Sequence, residues 1–341
     1  MAKKKLKIGV IGAGAIAQAC HIPGYMAAEN CILQAVADPE EKCLKMLEEN
    51  GMNFKHVYRD YKEMLANEKL DMVSICVPNK FHAECALAAL ESGADILLEK
   101  PPTLKLADSK KIKAAAERLG KRVMVGFSHR FNDMNQAAKK ALAEGVIGDP
   151  YMIHVRFAHT GPFPGWAKTD WFYNPEIAGG GALLDMAVHA FDIAQFLIGK
   201  ITAVTAKVAT LRKKIKVDDN VVTILEFGKK CMGYVECGWT SPAGFWGIDI
   251  MGDNGRLVCD YAQGKVIVTR GVVSPDGTSN QETVEYFVSQ TAQWANEMAY
   301  ATKTAAGKEN FSPDINDGIN TLKVVLAAYK SSDTGSRVVV K

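Results

Sequence analysis

The feature that most constrains this chain is Leu6-Lys-Ile-Gly-Val-Ile-Gly-Ala-Gly-Ala-Ile-Ala17, a short β-branched stretch that turns through glycines into a helical pattern. A strand that ends on Gly12-Ala-Gly14-Ala-Ile-Ala17 and opens directly into a helix is the setting in which a GxGxxA pattern cradles a dinucleotide. Gly12 permits the tight turn, Gly14 lets backbone approach a pyrophosphate, and Ala17 keeps helix and strand close. Ala15 and Ile16 start the helix, whose first N–H groups and partial positive charge favour phosphate. A plain glycine turn between strand and helix reads the same over these residues, so a second mark is needed. Asp38 supplies it, at the end of the next strand-like run, 26 residues after Gly12. A carboxylate there accepts hydrogen bonds from both adenosine ribose hydroxyls and repels a 2′-phosphate. The following Pro39-Glu40-Glu41 adds acidity and no arginine clamp, so NAD is expected rather than NADP. Asp38-Pro39 also reads as an ordinary helix cap.

At 341 residues the chain exceeds what one core usually organises, about 250–300, so two domains are expected. With 48% apolar and 23% charged residues, the composition is that of an ordinary globular chain and disfavours disorder, collagen and coiled coil. A net charge of +3, with no basic stripe interleaved with aromatics, gives no phosphate-neutralising surface, so nucleic acid is not an expected partner. The eight cysteines form no CxxC and no zinc-like spacing; they read as reduced core residues in a cytoplasmic protein with no metal site. Lys3-Lys-Lys5 followed by apolar residues up to Ala19-Cys20 imitates a signal peptide, but Lys7 and the glycines at 9, 12 and 14 break the helix such a segment needs. No uninterrupted apolar run reaches the ~18–20 residues of a membrane span, and no membrane contact is expected.

Strand-like runs at 6–11, 32–37, 72–77, 95–98 and 122–127 alternate with helical patterns at 16–29, 40–50, 61–67, 82–92 and 105–119. This rhythm predicts a doubly wound parallel sheet, a Rossmann domain over residues 1–128. Beyond it come a helix at 132–144, a strand at 151–158, an irregular Gly, Pro and Trp segment, and a long apolar helix at 182–198. Closely spaced strands follow at 201–211, 221–227, 232–239, 246–251, 256–260 and 265–270, then helices near 291–306 and 315–331 and a last strand at 337–340. A second α/β domain with a mostly antiparallel sheet is therefore expected over 129–341.

In an open parallel sheet, ligands bind beyond the carboxyl ends of the strands. Glu99-Lys100-Pro101-Pro102 ends one strand, which would aim Lys100 into the cleft, where an ammonium can hydrogen-bond a substrate hydroxyl. A prolyl bond here also allows a cis geometry, and a plain surface turn is the competing reading. Val77-Pro78-Asn79-Lys-Phe-His82 likewise links strand to helix and places Pro78, Asn79 and His82 at the cofactor, with Asn79 suited to a cap or a polar contact. Gly179-Gly-Gly181 precedes a helix on which Asp185, His189 and Asp192 share one face, between two apolar stripes. Histidine is the default acid/base near neutral pH, and a carboxylate one turn away can orient it. There is no nucleophile motif, no HExxH and no phosphate-type GKS/T.

Three motifs in this order, Gly9-Val-Ile-Gly-Ala-Gly-Ala-Ile-Ala17, Glu99-Lys-Pro101 and Gly179-Gly-Gly-Ala-Leu-Leu-Asp-Met-Ala-Val-His-Ala-Phe-Asp192, resemble the Gfo/Idh/MocA oxidoreductases. The likeness covers nearly the whole chain, including Ala327-Tyr-Lys-Ser-Ser-Asp-Thr-Gly335. It implies hydride transfer at a hydroxyl/ketone pair of a sugar, polyol or sugar derivative, and a C-terminal open sheet that makes homodimer or homotetramer contacts. It also implies that Lys100 sits beside substrate and nicotinamide, and that Glu99 lies near the nicotinamide ribose. His189 would carry the proton, with Asp185 as its partner on the substrate and Arg130 as a further substrate contact. Many members follow Trp with Arg before the triple glycine, whereas this chain has Trp171-Phe172. The aromatic loop Phe163, Trp166, Trp171 and Phe172 suits a sugar face or a domain interface equally. An NAD-retaining hydrolase or epimerase, and a non-catalytic sugar or redox sensor, are the alternative functions the resemblance leaves open.

Overall fold

The structure is a computed structural model that describes residues 5–273, 279–290 and 293–341. It divides into two compact units, each discontinuous in sequence. The first comprises Met1–Ser128, Trp166–Gly179 and Ala292–Leu322; the second comprises His129–Gly165, Gly180–Thr291 and Lys323–Lys341. The single cut expected near residues 127–130 thus matches one of several crossings.

The first unit is built on a parallel sheet of β1 (Leu6–Ile11), β2 (Cys31–Ala37), β3 (His56–Tyr58), β4 (Met72–Ile75), β5 (Asp95–Leu98) and β6 (Val123–Val125). Their order, β3-β2-β1-β4-β5-β6, is the doubly wound dinucleotide-binding order. Helices on both faces bury the central strands, which is why β4 and β5 are mostly apolar, broken only by Ser74 and by Asp95 at the start of β5. The reversal of strand order at β1 opens a crevice above β1 and β4. Strand β3 was not anticipated: it is three residues long, lies at the edge, and exposes His56 and Val57, so it carries no hydrophobic periodicity. Strand β6 is shorter than expected because Phe127 N–H turns back onto Val125 O. The helix expected over 16–29 is two pieces, a wide turn at Ala17–His21 that runs into Ile22–Ala27.

The sheet of the second unit has nine described strands: β7 (Pro150–Ala158), β8 (Ala203–Ala209), β9 (Asn220–Phe227), β10 (Cys231–Gly238), β11 (Gly247–Gly252), β12 (Gly255–Asp260), β13 (Lys265–Val273), β14 (Ser279–Val288) and β15 (Val338–Val339). The order is β14-β13-β12-β11-β7-β10-β9-β8-β15, antiparallel except for the β7–β10 pair. Strict alternation sorts the residues of β9 and β10. Val221, Leu225 and Val235 are buried, whereas Val222, Ile224, Met232 and Tyr234 stand exposed on the opposite face. Helices Asp133–Ala143 and Val188–Leu197 pack on the sheet. Strand β14 was missed because its run Asn280-Gln-Glu-Thr-Val-Glu-Tyr286 is half polar and lies at the sheet edge. The apolar run Pro175–Leu197 is long enough to cross a membrane, but an 18-residue window of it is 83% buried in the fold.

Candidate active site

A cleft of about 1230 Å³ lies over the carboxyl ends of the first unit's strands. All ten residues expected at the cofactor line it: Gly12, Gly14, Ala15, Ile16, Asp38, Pro78, Asn79, His82, Glu99 and Lys100. Gly12 has φ +91°, and a Cβ there would meet the Cys76 carbonyl oxygen at 2.7 Å, so the turn admits only glycine. At Gly14 an added Cβ would meet no protein atom within 4 Å, which leaves its backbone open to the cleft. A pyrophosphate fits that cradle.

Asp38 accepts hydrogen bonds from Ala13 N–H at 2.7 Å and Glu40 N–H at 2.8 Å, so it ties the glycine loop to the end of β2. Each carboxylate oxygen keeps a second lone pair for a ribose hydroxyl. Burial pushes its pKa up, partly countered by those two backbone donors. Arg59, also on the cleft, turns its guanidinium to Pro39 O and, at 3.4 Å, to Glu41.

Asn79 donates to Ala178 O at 2.9 Å and so pins the helical turn Pro175–Ala178 to the cleft wall. Both ring nitrogens of His82 lie against carbonyl oxygens, Pro101 O at 2.7 Å and Val77 O at 2.9 Å. Burial lowers its pKa. Both ring nitrogens are thus taken up by the turns after two strands, which leaves His82 little to offer a ligand. The Lys100–Pro101 peptide is cis. Trp171 stacks on Phe172 with ring centroids 3.8 Å apart, and Trp166 meets Phe172 edge-on at 5.1 Å; all three line the cleft. Phe163 belongs to the second unit.

In the second unit, Asp185 and His189 lie one turn apart on the helical segment that begins after the triple glycine. Asp185 is buried and His189 half-buried. What positions them is Asp218, a residue the sequence reading did not single out. Its carboxylate accepts from Gly181 N–H at 2.9 Å, Leu183 N–H at 2.7 Å and the Tyr329 hydroxyl at 2.8 Å. This satisfies N–H groups that the start of a helix leaves unpaired. A Cβ on Gly181 would stand 1.9 Å from the Asp218 carbonyl oxygen, so a glycine is needed for the two segments to meet. His189 also has a buried neighbour that was overlooked: the His129 ring lies 4.8 Å away and stacks on Phe157 at 4.6 Å.

Arg130 and Asp192, by contrast, are taken up with each other. The guanidinium donates from Nε at 2.8 Å and Nη2 at 2.7 Å to the two oxygens of Asp192, and both residues are buried. The fork thereby anchors the start of the unit to its central helix through Asp192. Among the described residues no group of three or more His, Cys, Asp or Glu could hold a metal ion.

Residues 6–127 match the model of the oxidoreductase family with an NAD-binding Rossmann fold, and residues 135–258 match the GFO/IDH/MocA C-terminal domain. The chain belongs to the Gfo/Idh/MocA oxidoreductase family. Among curated members it is 27% identical to the D-glucoside 3-dehydrogenase of Escherichia coli (strain K12), over 99% of this chain and 98% of that one. It is 25% identical to the myo-inositol 2-dehydrogenase of Thermotoga maritima, over 96% of each. Among solved structures, levoglucosan dehydrogenase in complex with NADH superposes with a TM-score of 0.86 at 25% identity, covering 99% of this chain and all of that one. This Gfo/Idh/MocA member therefore combines the family's NAD-binding domain with its C-terminal domain over nearly the full length of such relatives.

Proposed function

We propose that this chain is an NAD(H)-dependent dehydrogenase or reductase acting on a secondary hydroxyl/ketone pair of a cyclic sugar, sugar derivative or polyol. The observation that carries the reading is the cleft that brings the glycine loop, Asp38 and Lys100 together over one parallel sheet. Gly12–Ile16 hold the pyrophosphate, and Asp38 accepts the adenosine ribose hydroxyls. NAD is preferred over NADP because a 2′-phosphate would face a buried carboxylate, with Glu40 beside it and Arg59 turned to Pro39 and Glu41. NAD, when bound, supplies the hydride acceptor.

On the protein side, Lys100 hydrogen-bonds the reacting oxygen and favours its alkoxide character. His189 takes up the hydroxyl proton during oxidation and returns it during reduction, while Asp185 binds or orients the group beside it. Trp171 offers an apolar face to the substrate ring. The names of the relatives, a D-glucoside, a myo-inositol and a levoglucosan dehydrogenase, support a ring bearing several hydroxyls. A panel of inositols, aldoses, glycosides and anhydrosugars, followed by NADH absorbance with parallel assay of substrate consumption, tests the reading. Turnover with stoichiometric NADH supports it, whereas consumption with no net NADH points to transient oxidation in a hydrolase or epimerase.

The exposed Val222, Ile224, Met232 and Tyr234 face supports assembly into a homodimer or homotetramer through the second unit's sheet. Light scattering of wild type against Ile224→Lys/Tyr234→Glu, expected to fall to monomer mass, checks it. Eight unpaired thiols, seven of them buried, suit a cytoplasmic setting.

A further inference from the structure

Beneath the cleft of the first unit runs a line of buried polar groups that the proposed reaction does not use. Glu99, at the end of β5, accepts at Oε2 from Lys100 N–H at 3.1 Å and lies 2.8 Å from His21 Nε2 at Oε1. His21, fully buried on the wide turn after the glycine loop, places Nδ1 3.2 Å from Ser74 Oγ, and Ser74 Oγ lies 2.6 Å from the Tyr25 hydroxyl. The directions of these bonds follow from the inventory of donors. Tyr25 O–H donates to Ser74, Ser74 O–H donates to His21 Nδ1, and His21 Nε2–H donates to Glu99. In this arrangement every hydrogen of the line has an acceptor.

The strand order says where Glu99 stands relative to a bound dinucleotide. The pyrophosphate cradle follows β1, and Asp38, the ribose acceptor of the adenosine half, follows β2. The other half must therefore extend in the opposite direction, over β4 and β5. Glu99 is three strand spacings from Asp38, about 14 Å, at the far end of the same cleft.

We propose that His21 is a positioning residue that holds Glu99 as a fixed anion at the nicotinamide end of the cleft, and that this anion makes the site bind the oxidised, cationic dinucleotide in preference to the reduced one. The proposal rests on the NAD-binding reading above. The oxidised ring carries a positive charge that the reduced ring lacks, so a nearby carboxylate discriminates between them by charge while every other contact is shared. Several groups face Glu99. Burial pushes the Glu99 pKa up, but the hydrogen bond to His21 and the ammonium of Lys100 outweigh it and hold the pKa down. Glu297, fully buried on the helix Gln293–Gly307, has neither carboxyl oxygen hydrogen-bonded among the described residues, and burial with Glu99 nearby drives its pKa well up. That shift disfavours a second charge beside Glu99. Lys100 offsets part of the field of Glu99, so a discrimination of about tenfold, 1.4 kcal/mol, is expected.

The test compares dissociation constants of NAD+ and NADH, by NADH fluorescence titration and NAD+ competition, in wild type, Glu99→Gln, His21→Leu and His21→Gln. Glu99→Gln should shift the affinity ratio about tenfold towards NADH. His21→Leu should shift it in the same direction, and His21→Gln, whose amide can still donate to Glu99, should stay close to wild type. A ratio unchanged in Glu99→Gln, or equal weakening of both forms, overturns the proposal even if His21→Leu fails to fold. If wild type binds neither form, the cofactor reading itself falls, and the proposal with it.

Discussion

Replacing Asp218 with alanine should uncouple the helix that carries Asp185 and His189 from its support while leaving the first unit's cleft intact. The side chain is buried at 9% exposure and satisfies three donors, two backbone N–H groups and the Tyr329 hydroxyl, at 2.7–2.9 Å. Removing a helix cap costs about 1 kcal/mol, and each buried donor left unpaired costs about 1–3 kcal/mol where water does not reach it. With water able to enter the space left by the carboxylate, the sum is about 3–5 kcal/mol. In urea this corresponds to a midpoint lower by about 1–3 M. Tyr329→Phe removes one donor and should cost about 1 kcal/mol, and the double variant should cost clearly less than the two singles added. Because Asp185 and His189 follow Gly181 within about two turns, kcat should fall about tenfold to hundredfold. NAD affinity, set by the first unit, should hold. An Asp218→Ala protein within about 0.5 kcal/mol of wild type, or one that loses NAD binding but keeps its midpoint, would refute the reasoning.

Other consequences are as direct. Arg130→Met or Asp192→Leu alone should destabilise by about 3–5 kcal/mol, because each leaves a buried charge unpaired, whereas the double apolar variant should recover most of that in a denaturation series. Glu297 is held protonated by the fold, with its pKa raised above the ordinary 4.5. Its contribution to stability is complete below pH 4.5 and is lost as pH rises towards its folded value, at about 1.4 kcal/mol per pH unit. Glu297→Met should therefore flatten the stability–pH curve above pH 4.5 and raise stability at neutral pH, read from urea midpoints across pH; an unchanged slope contradicts the assignment. Asp38→Ser should weaken NAD binding at least about tenfold and narrow the gap to NADP, measured by competition titration, while an unchanged NAD constant would remove Asp38 from the ribose site.

Much of this was legible because it depends on local patterns. The glycine loop after β1, the mostly apolar β4 and β5 and the triple glycine each state their geometry within a few residues. What escaped the sequence depends on pairing across long separations. Asp218 reaches back 35 and 37 residues to Leu183 and Gly181, and nothing in Val217-Asp-Asp-Asn220 announces a cap. The resemblance implies a substrate contact at Arg130, but nothing local announces its ion pair with Asp192, 62 residues on. His82 and Asn79 sit where expected, but their hydrogen bonds go to Val77, Pro101 and Ala178, carbonyls that only the folded chain brings near. His21 carries no motif of its own, and its tie to Glu99 spans 78 residues. The edge strands β3 and β14 were invisible for a different reason: half exposed, they do not show the apolar periodicity by which buried strands are read.

The central claim is that Lys100 and His189 handle the proton of a hydroxyl oxidised at the expense of NAD. It is tested most directly by measuring single-turnover NADH formation and NAD dissociation constants side by side for wild type, Lys100→Met and His189→Ala, with a substrate found by the panel. Each substitution is expected to lower the turnover rate by at least about a hundredfold while the NAD constant moves less than about threefold. Turnover retained within about threefold in both variants, or loss of NAD binding in step with activity, would contradict it.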